Sequence, residues 1–337
     1  LTRVKKSGIL ISIIIPSYNR ENELKQLVRS ILIQNPAKYG VEILVVDDGS
    51  DDNTYALIKN CKKQGIKYIK QQNLGPAAAR NNGYLNAKGK FLAFLDSDVI
   101  VDKNYVRNSV DFIDTHPDAD CVEGATLSTV TATRPTYFTN SVENLRGGQY
   151  MTCNIIYSRR IMDITGGFDT RYNNPYIRED TDMAFAAMKA GGKFYFNGNM
   201  RVTHPFYAGS YRDIFKLARQ GIHEPLLFMK FPCLYFKKLK WLDGWFVPVY
   251  YLGYYAMPLL VILYFFTKDI FWVKSGILVF LFSYVVTIYV QFRKRKFRFT
   301  DFLTVSALFI FAPYLRLFWI AAGFIKHGSE MFSKSKK

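Results

Sequence analysis

Phe91-Leu92-Ala93-Phe94-Leu95-Asp96-Ser97-Asp98 decides the reading of this chain. An unbroken apolar run of this length fits a buried strand, and carboxylates spaced i, i+2 at its end project to one side. At ~6 Å separation and an effective dielectric of ~20 their repulsion is roughly 3 kcal/mol, so each raises the cost of ionising the other. A divalent cation reverses that sign. Mg²⁺ or Mn²⁺ takes one or two protein carboxylates and completes its shell with water and substrate phosphate oxygens. By itself the tripeptide equally fits a turn or a helix cap.

Its surroundings favour a site. Three strand-like runs, Ile9 to Ile15, Val41 to Val46 and Phe91 to Leu95, each end in a polar cluster: Pro16-Ser17-Tyr18-Asn19, Asp47-Asp48-Gly49-Ser50 and the paired aspartates. Between them Glu21 to Gln34, Asn53 to Gln64 and Pro76 to Ala87 repeat apolar residues every three or four positions, as helices do. Alternating strand and helix predicts an α/β fold with a largely parallel sheet covered on both faces. Ligands bind such sheets beyond the carboxyl ends of the strands, where all three clusters lie.

The chain has 337 residues, 49% hydrophobic, enough for one ample core and something further. Residues 1–206 read as a soluble domain. Trp245 to Phe266 contains no Asp, Glu, Lys or Arg and has the length of a bilayer span; Phe271 to Phe292 and Phe302 to Ile325 are further candidates. Arg316 inside the last would cost about 2.5–3.5 kcal/mol at the bilayer centre, so that segment is expected to be shallow, re-entrant or paired. The basic run Arg293-Lys294-Arg295-Lys296 separates the second and third spans. The positive-inside rule puts it, and with it the soluble domain, in the cytosol. No secretory leader is expected at the start of the chain. Cys61, Cys121, Cys153 and Cys233 lack metal-site spacing and fit free thiols in a reducing compartment.

A net charge of +18 could suggest nucleic acid. Much of it instead falls within residues 207–244, where Arg212, Lys216, Arg219, Lys230, Lys237, Lys238 and Lys240 interleave with Phe215, Leu226, Phe228, Phe231, Tyr235 and Phe236. That pattern predicts a segment lying on an anionic membrane surface, with no nucleic-acid partner.

The runs Ile13 to Arg20, Val45 to Ser50, Asn73 to Asn81 and Asp96 to Asp98, with Gly166-Gly167-Phe168-Asp169 and Glu179-Asp180-Thr181-Asp182, closely resemble family 2 inverting glycosyltransferases of the GT-A fold, over about residues 9–206. The resemblance implies a Rossmann-like nucleotide-sugar-binding domain with a mixed central sheet. It implies a base pocket lined by Pro16, Tyr18 and Asn19, with Asp48 accepting a hydrogen bond from the nucleobase. Otherwise Asp47 and Asp48 would form a turn and cap the next helix. Gly75 would allow close backbone approach and Arg80 a cationic contact near the nucleotide, the alternative for Arg80 being a helix-surface salt bridge. Asp96, with Ser97 beside it, would contact the ribose or metal-bound water. Asp98 would ligate Mn²⁺ or Mg²⁺, with His204 as a third metal-linked position. Asp180 would deprotonate the acceptor, Glu179 would orient it or shift its pKa, and Asp182 would serve the helix start. Arg212 or Arg219 could assist at the pyrophosphate or acceptor.

One departure bears on the acceptor side: many such enzymes carry an Arg where this chain has Ala186. Residues 130–148 form an insertion to which the sequence assigns no role. The donor expected is a UDP-sugar rather than a GDP-sugar. A lipid or lipid-linked acceptor at the cytosolic face of a prokaryotic membrane suits the spans and the basic collar. Polyprenyl phosphate, a polyprenyl-diphosphate sugar, diacylglycerol and a growing polysaccharide all remain open, as does a homo-oligomer. A non-catalytic nucleotide-sugar-binding scaffold would have no need for Asp96, Asp98, Glu179 and Asp180 together. A nucleotidyltransferase or dinucleotide enzyme would need a Gly-rich phosphate loop after Ile15, which the sequence lacks.

Overall fold

The computed structural model describes residues 10–61, 65–129, 139–140, 142–238, 251–292 and 299–334. The chain divides into two units, Leu1–Val130 with Ser141–Phe206, and Thr131–Asn140 with Tyr207–Lys337.

The first unit contains strands β1 (Ile11–Ser17), β2 (Val41–Asp47), β3 (Ile66–Lys70), β4 (Phe91–Phe94), β5 (Ile100–Val101) and β6 (Cys121–Ser128). Past β7 (Thr139–Asn140), which belongs to the second unit, it adds β8 (Ile155–Ser158) and β9 (Phe194–His204). These form one eight-stranded sheet in the order β3-β2-β1-β4-β8-β6-β9-β5. Strands β3, β2, β1 and β4 are mutually parallel; β8 runs antiparallel to both β4 and β6, β6 and β9 are parallel, and β5 is antiparallel to β9. The expected parallel arrangement is therefore half of a mixed sheet. Every residue of β1 is buried, as a strand covered on both faces requires. Pro16 is tolerated there because pairing with β4 stops at Ile14↔Phe94, while pairing with β2 continues to Ser17↔Asp47.

Helices α1 (Glu21–Leu32), α2 (Thr54–Cys61), α3 (Pro76–Asn86), α4 (Tyr105–Thr115), α5 (Arg159–Thr165) and α6 (Glu179–Lys189) complete the unit. In α1 the buried residues Leu24, Leu27, Val28 and Ile31 make one face and join the core with Ile11, Ile13 and Ile15. Full burial of each such side chain contributes about 1.5–3 kcal/mol. Helix α3 starts at Pro76 behind Gly75, whose φ is +91°. It packs closely on β1, since a Cβ on Gly83 would lie 2.3 Å from Ile14 Cγ2.

The second unit pairs β7 with β10 (Tyr207–Ala208) and is otherwise helical: α7 (Asp213–Arg219), α8 (Glu224–Lys230), α9 (Pro232–Lys238), α10 (Leu252–Thr267), α11 (Phe271–Phe292), α12 (Phe299–Leu308) and α13 (Ala312–Lys334). Helix α11 is long and apolar enough to cross a membrane, and it exposes Leu278, Phe282, Val285 and Tyr289. The neighbouring α10 is shorter, and α12 and α13 meet at a 48° bend. Gly253 and Ser283 let α10 and α11 approach, and Gly253 N donates to Ser283 Oγ at 3.1 Å. Arg316 is paired, lying 3.4 Å from Glu224 Oε1. Residues 245–250 of the first expected span, Lys240, and the basic run 293–296 lie outside the described residues.

Candidate active site

The register of the sheet assembles the site. Two residues beyond β4, the chain turns at Asp96, with Val99 N reaching back to Asp96 O at 3.4 Å, and enters β5. The antiparallel pair Ile100↔Thr203 then carries Asp98 to His204. Asp98 Oδ1 lies 3.8 Å from His204 Nε2, and Oδ2 accepts from Arg20 at 2.9 Å. His204 Nδ1 is 2.8 Å from Pro205 O; a carbonyl only accepts, so that nitrogen carries a proton, and Nε2 is the ring nitrogen turned towards Asp98.

This pair fits a divalent cation in donor type, one carboxylate oxygen and one imidazole nitrogen oriented by a backbone carbonyl. Among the described residues no group of three or more His, Cys, Asp or Glu is placed to hold a metal ion. Oxygen ligands from substrate and water would supply the rest of the shell.

Arg80 lies on the inner face of α3 with Ala77, Ala79 and Gly83. It is 4% exposed, and its fork spans Asp96 Oδ1 at 2.8 Å and Glu179 Oε1 at 3.1 Å, so the expected alternative of a helix-surface bridge does not describe it. Beneath it lies Phe168, 5.7 Å from the guanidinium carbon to the ring centre. The Gly166-to-Asp169 motif gains a reason from this. Asn81 Nδ2 donates to Phe168 O and Phe168 N donates to Asn81 Oδ1, each at 2.8 Å, which fastens the aromatic ring under Arg80. Gly167 must be small there, since a Cβ would lie 2.5 Å from Asn81 Oδ1. Burial works against the Arg80 cation, but the pull of Asp96 and Glu179 prevails and raises its pKa.

Helix α6 begins after Arg178, in the left-handed region at φ +76°, and sets Glu179, Asp180 and Asp182 in its first turn. Burial, then the neighbouring Asp180 charge, pushes the Glu179 carboxyl up to about 7 against the pull of Arg80. Burial also raises Asp180, opposed by the Thr181 amide, Arg80 and Arg178. Asp180 Oδ1 accepts from Thr181 N at 2.6 Å and from Thr181 Oγ1 at 3.2 Å. Asp182 is buried inward and accepts from Tyr172 Oη at 2.8 Å. Arg80, Asp96, Cys153, Tyr176, Arg178, Glu179, Asp180 and His204 line a common cavity of about 210 Å³.

Along the other strand ends, Asn19 sits at φ +51°, with its amide on Ser50 Oγ at 3.0 Å and its Oδ1 accepting from Asp51 N at 2.9 Å. Tyr18 is exposed, while Pro16 and Ser97 are buried. Both carboxylate oxygens of Asp48 are engaged: Oδ1 accepts from Gln71 Nε2 at 2.7 Å and Leu74 N at 2.9 Å, and Oδ2 from Gly75 N at 2.8 Å. Asp48 thus shapes the loop before α3. Asp47 accepts from Ser50 N at 2.8 Å and from the Tyr68 hydroxyl. The cap of α2 falls to neither; Asp52 takes Thr54 N and Glu21 N, each at 3.0 Å. A Cβ on Gly75 would lie 2.4 Å from Tyr176 Cε1. Arg212 and Arg219 belong to the second unit, where Arg212 lies over Tyr211 and Arg219 over Trp319 at 5.5 Å. Sequence reasoning gave no role to Arg20, Asp52, Gln71, Asn81 or Tyr176. Arg20 and Asn81, each the last residue of a family motif, carried a usable signal.

A family model described as glycosyl transferase family 2 matches residues 12–181, just over half of the chain. Over 105 residues, 31% of this chain, the identity to an uncharacterized glycosyltransferase of Rickettsia conorii is 47%. Over 165 residues, 47% of this chain, the identity to the minor teichoic acid biosynthesis protein GgaA of Bacillus subtilis is 34%. The chain spans 17% and 34% of the lengths of those two curated relatives. A mannosyltransferase from Pyrobaculum calidifontis, solved in complex with GDP-Man and Mn²⁺, aligns over 95% of this chain and 87% of its own with a TM-score of 0.53 at 14% identity, a likeness of fold.

Proposed function

The chain belongs to glycosyl transferase family 2, and on that premise we propose that it moves a sugar, with inversion, from a nucleoside-diphosphate donor to a lipid or lipid-linked acceptor at a membrane surface. The donor is a UDP-sugar by the motif resemblance. The observation that carries the reading is Arg80: one buried guanidinium joins Asp96, at the end of the nucleotide-side strand, to Glu179, beside Asp180 at the start of α6. Donor-side and acceptor-side carboxylates therefore border one cavity.

In this reading the acceptor hydroxyl oxygen attacks the anomeric carbon as the bond from that carbon to the diphosphate oxygen breaks. The hydroxyl proton passes to Asp180, and the bonding electron pair leaves with the diphosphate. Thr181 holds one oxygen of Asp180 and leaves Oδ2 for the proton. Asp98 and His204, with Asp96 nearby, would hold Mn²⁺ or Mg²⁺. Such a cation offsets charge on the departing diphosphate. Arg80 orients Glu179, and Glu179 keeps the site's carboxylates from ionising together.

The membrane part of the proposal rests on the apolar helix Phe271–Phe292 and the bent pair that follows it. The domain limits proposed are 1–206 for the catalytic domain, 207–244 for an interfacial segment and 245–337 for the membrane region, with the catalytic domain on the cytosolic face. The test is full-length protein in detergent with Mn²⁺ or Mg²⁺ and a panel of UDP- and GDP-sugars, with and without undecaprenyl phosphate and total lipid extract, following nucleotide release. Lipid-stimulated release from one donor supports the reading. Nucleotide binding without release from any donor defeats it in favour of a scaffold.

A further inference from the structure

One buried carboxylate of the first unit stands outside this chemistry. Glu123, the third residue of β6, is 4% exposed. Its Oε1 accepts from Gly148 N at 2.8 Å, and its Oε2 from Gln149 N at 3.0 Å, Tyr150 N at 2.8 Å and Asn144 Nδ2 at 3.2 Å. Successive amides converge on one anion only where the backbone curls inward. Gly147, Gly148 and Tyr150 supply that curl with φ of +76°, +84° and +59°. Asn144 closes the arrangement: its Oδ1 accepts from Gly147 N at 2.9 Å, and its backbone exchanges two 2.9 Å hydrogen bonds with Thr126 of β6.

The residues that follow this clasp at once, Met151, Thr152 and Cys153, line the cavity that Asp180 borders. Among the described residues the hydrogen-bond partners of the Glu123 carboxylate all lie in residues 144–150, and none belongs to the loops around Asn19 and Asp48. Resting on the reading of that cavity as the transfer site, we propose that Glu123 is a positioning residue. It pins residues 144–150 so that residues 151–153 form a fixed acceptor-side wall, and this gives a role to the end of the 130–148 insertion. The chemistry is a backbone nest closed on an internal carboxylate. Its effect is on how the acceptor is held rather than on how the nucleotide binds.

Glu123→Gln keeps the shape but sets an NH₂ against amide donors on one side. Gly148→Ala perturbs the same nest without removing the charge: its φ of +84° disfavours a side chain, yet no atom lies within 4 Å of the added Cβ. The test uses the full chain with Cys61 and Cys233 changed to Ser. N-ethylmaleimide labelling is mapped at Cys121 and Cys153, both buried, and UDP with Mn²⁺ is titrated by calorimetry. Expected in both variants are labelling of Cys153 at least tenfold faster and UDP affinity within twofold of wild type, with labelling of Cys121 unchanged in Gly148→Ala, which keeps the Glu123 charge that, after burial, raises the Cys121 thiol. With the donor and acceptor that the lipid panel identifies, acceptor KM should rise at least tenfold while donor KM and kcat stay within twofold. Wild type run alongside separates the two failures: if it transfers nothing, the transfer reading fails, and the labelling still decides whether Glu123 pins the wall. Unchanged Cys153 labelling in a folded variant, joint labelling of Cys121 and Cys153 in Gly148→Ala, or equal rises of both KM values would each overturn the proposal. If Glu123→Gln does not fold, Gly148→Ala alone decides.

Discussion

Replacing Arg80 by Gln isolates the electrostatics of the site. The guanidinium holds Asp96 and Glu179 at 2.8 and 3.1 Å, with its side chain 4% exposed. At about 4 Å between charge centres and an effective dielectric of ~20, the pairing with Glu179 amounts to about 4 kcal/mol, equivalent to roughly three pKa units. Solvent reaching Asp96, whose side chain is 32% exposed, weakens its share, so the larger consequence falls on Glu179. Glu179 already stands at about 7 because of burial and Asp180, and losing Arg80 pushes it higher, by about one to three units. Asp180 moves the same way, since Arg80 also holds it down. A base must be ionised to work, so the acid limb of the pH–rate profile for nucleotide release should shift upward, with activity partly regained in alkaline buffer. The stability sign follows from linkage. Glu179 has a folded pKa above its unfolded value, so its contribution is present below about pH 4.5 and is lost as pH rises through about 7. The deficit of Arg80→Gln against wild type should therefore be small in acid and grow towards alkaline pH in thermal melts. An unmoved acid limb together with UDP affinity weakened more than tenfold would refute this reasoning and make Arg80 a nucleotide contact.

Asp98→Asn should abolish metal-dependent nucleotide-sugar turnover with the far-ultraviolet circular dichroism spectrum retained; full activity would remove Asp98 from the metal site. Asp180→Asn should lower kcat by about 10²–10⁴ at little change in UDP affinity, and an unchanged kcat would move the base elsewhere or point to a phosphate acceptor. Gly75→Ala should weaken UDP binding at least tenfold, because its Cβ would lie 2.4 Å from Tyr176 Cε1 at a φ of +91°; adding Tyr176→Ala should relieve the clash but not the backbone strain. A cysteine placed near Arg295 should be labelled by impermeant maleimide only from the cytosolic side, and labelling from outside would overturn the proposed topology.

The nucleotide-side half of the sheet was legible because its physics is local. Strands β1, β2 and β4 are apolar runs that end in polar clusters, and the structure moves their ends by only a residue or two. Strand β3, with Lys67 and Lys70 interrupting Ile66, Tyr68 and Ile69 at the sheet edge, carries no such run. The other half was illegible for the opposite reason, since its interior contains polar groups. Glu123, Thr126, Asn154 and Asn197 are all buried. Asn154, for instance, holds Ala125 O and Met200 O, each at 2.9 Å, across the irregularity where β6 meets β9. Such residues read as surface until their partners are known.

The motifs marked which residues gather at the site, but the state of each depends on partners distant in sequence. Arg80 is 99 residues from Glu179, and Arg20 is 78 from Asp98. No periodicity connects either pair. Asp48 is the clearest case, because one carboxylate could serve a nucleobase, a turn or a helix cap. Its hydrogen bonds to Gln71, Leu74 and Gly75 hold the loop leading into α3, which in turn sets Gly75 against Tyr176 and aims Arg80 inward. Removing the Asp48 charge would therefore disturb the Arg80 bridge through the start of its helix as well as any contact with the base. A loss of nucleotide affinity in Asp48→Asn alone would be ambiguous between those two causes. Only an accompanying shift in the pH–rate profile, of the same sign as that of Arg80→Gln, would assign the effect to the helix.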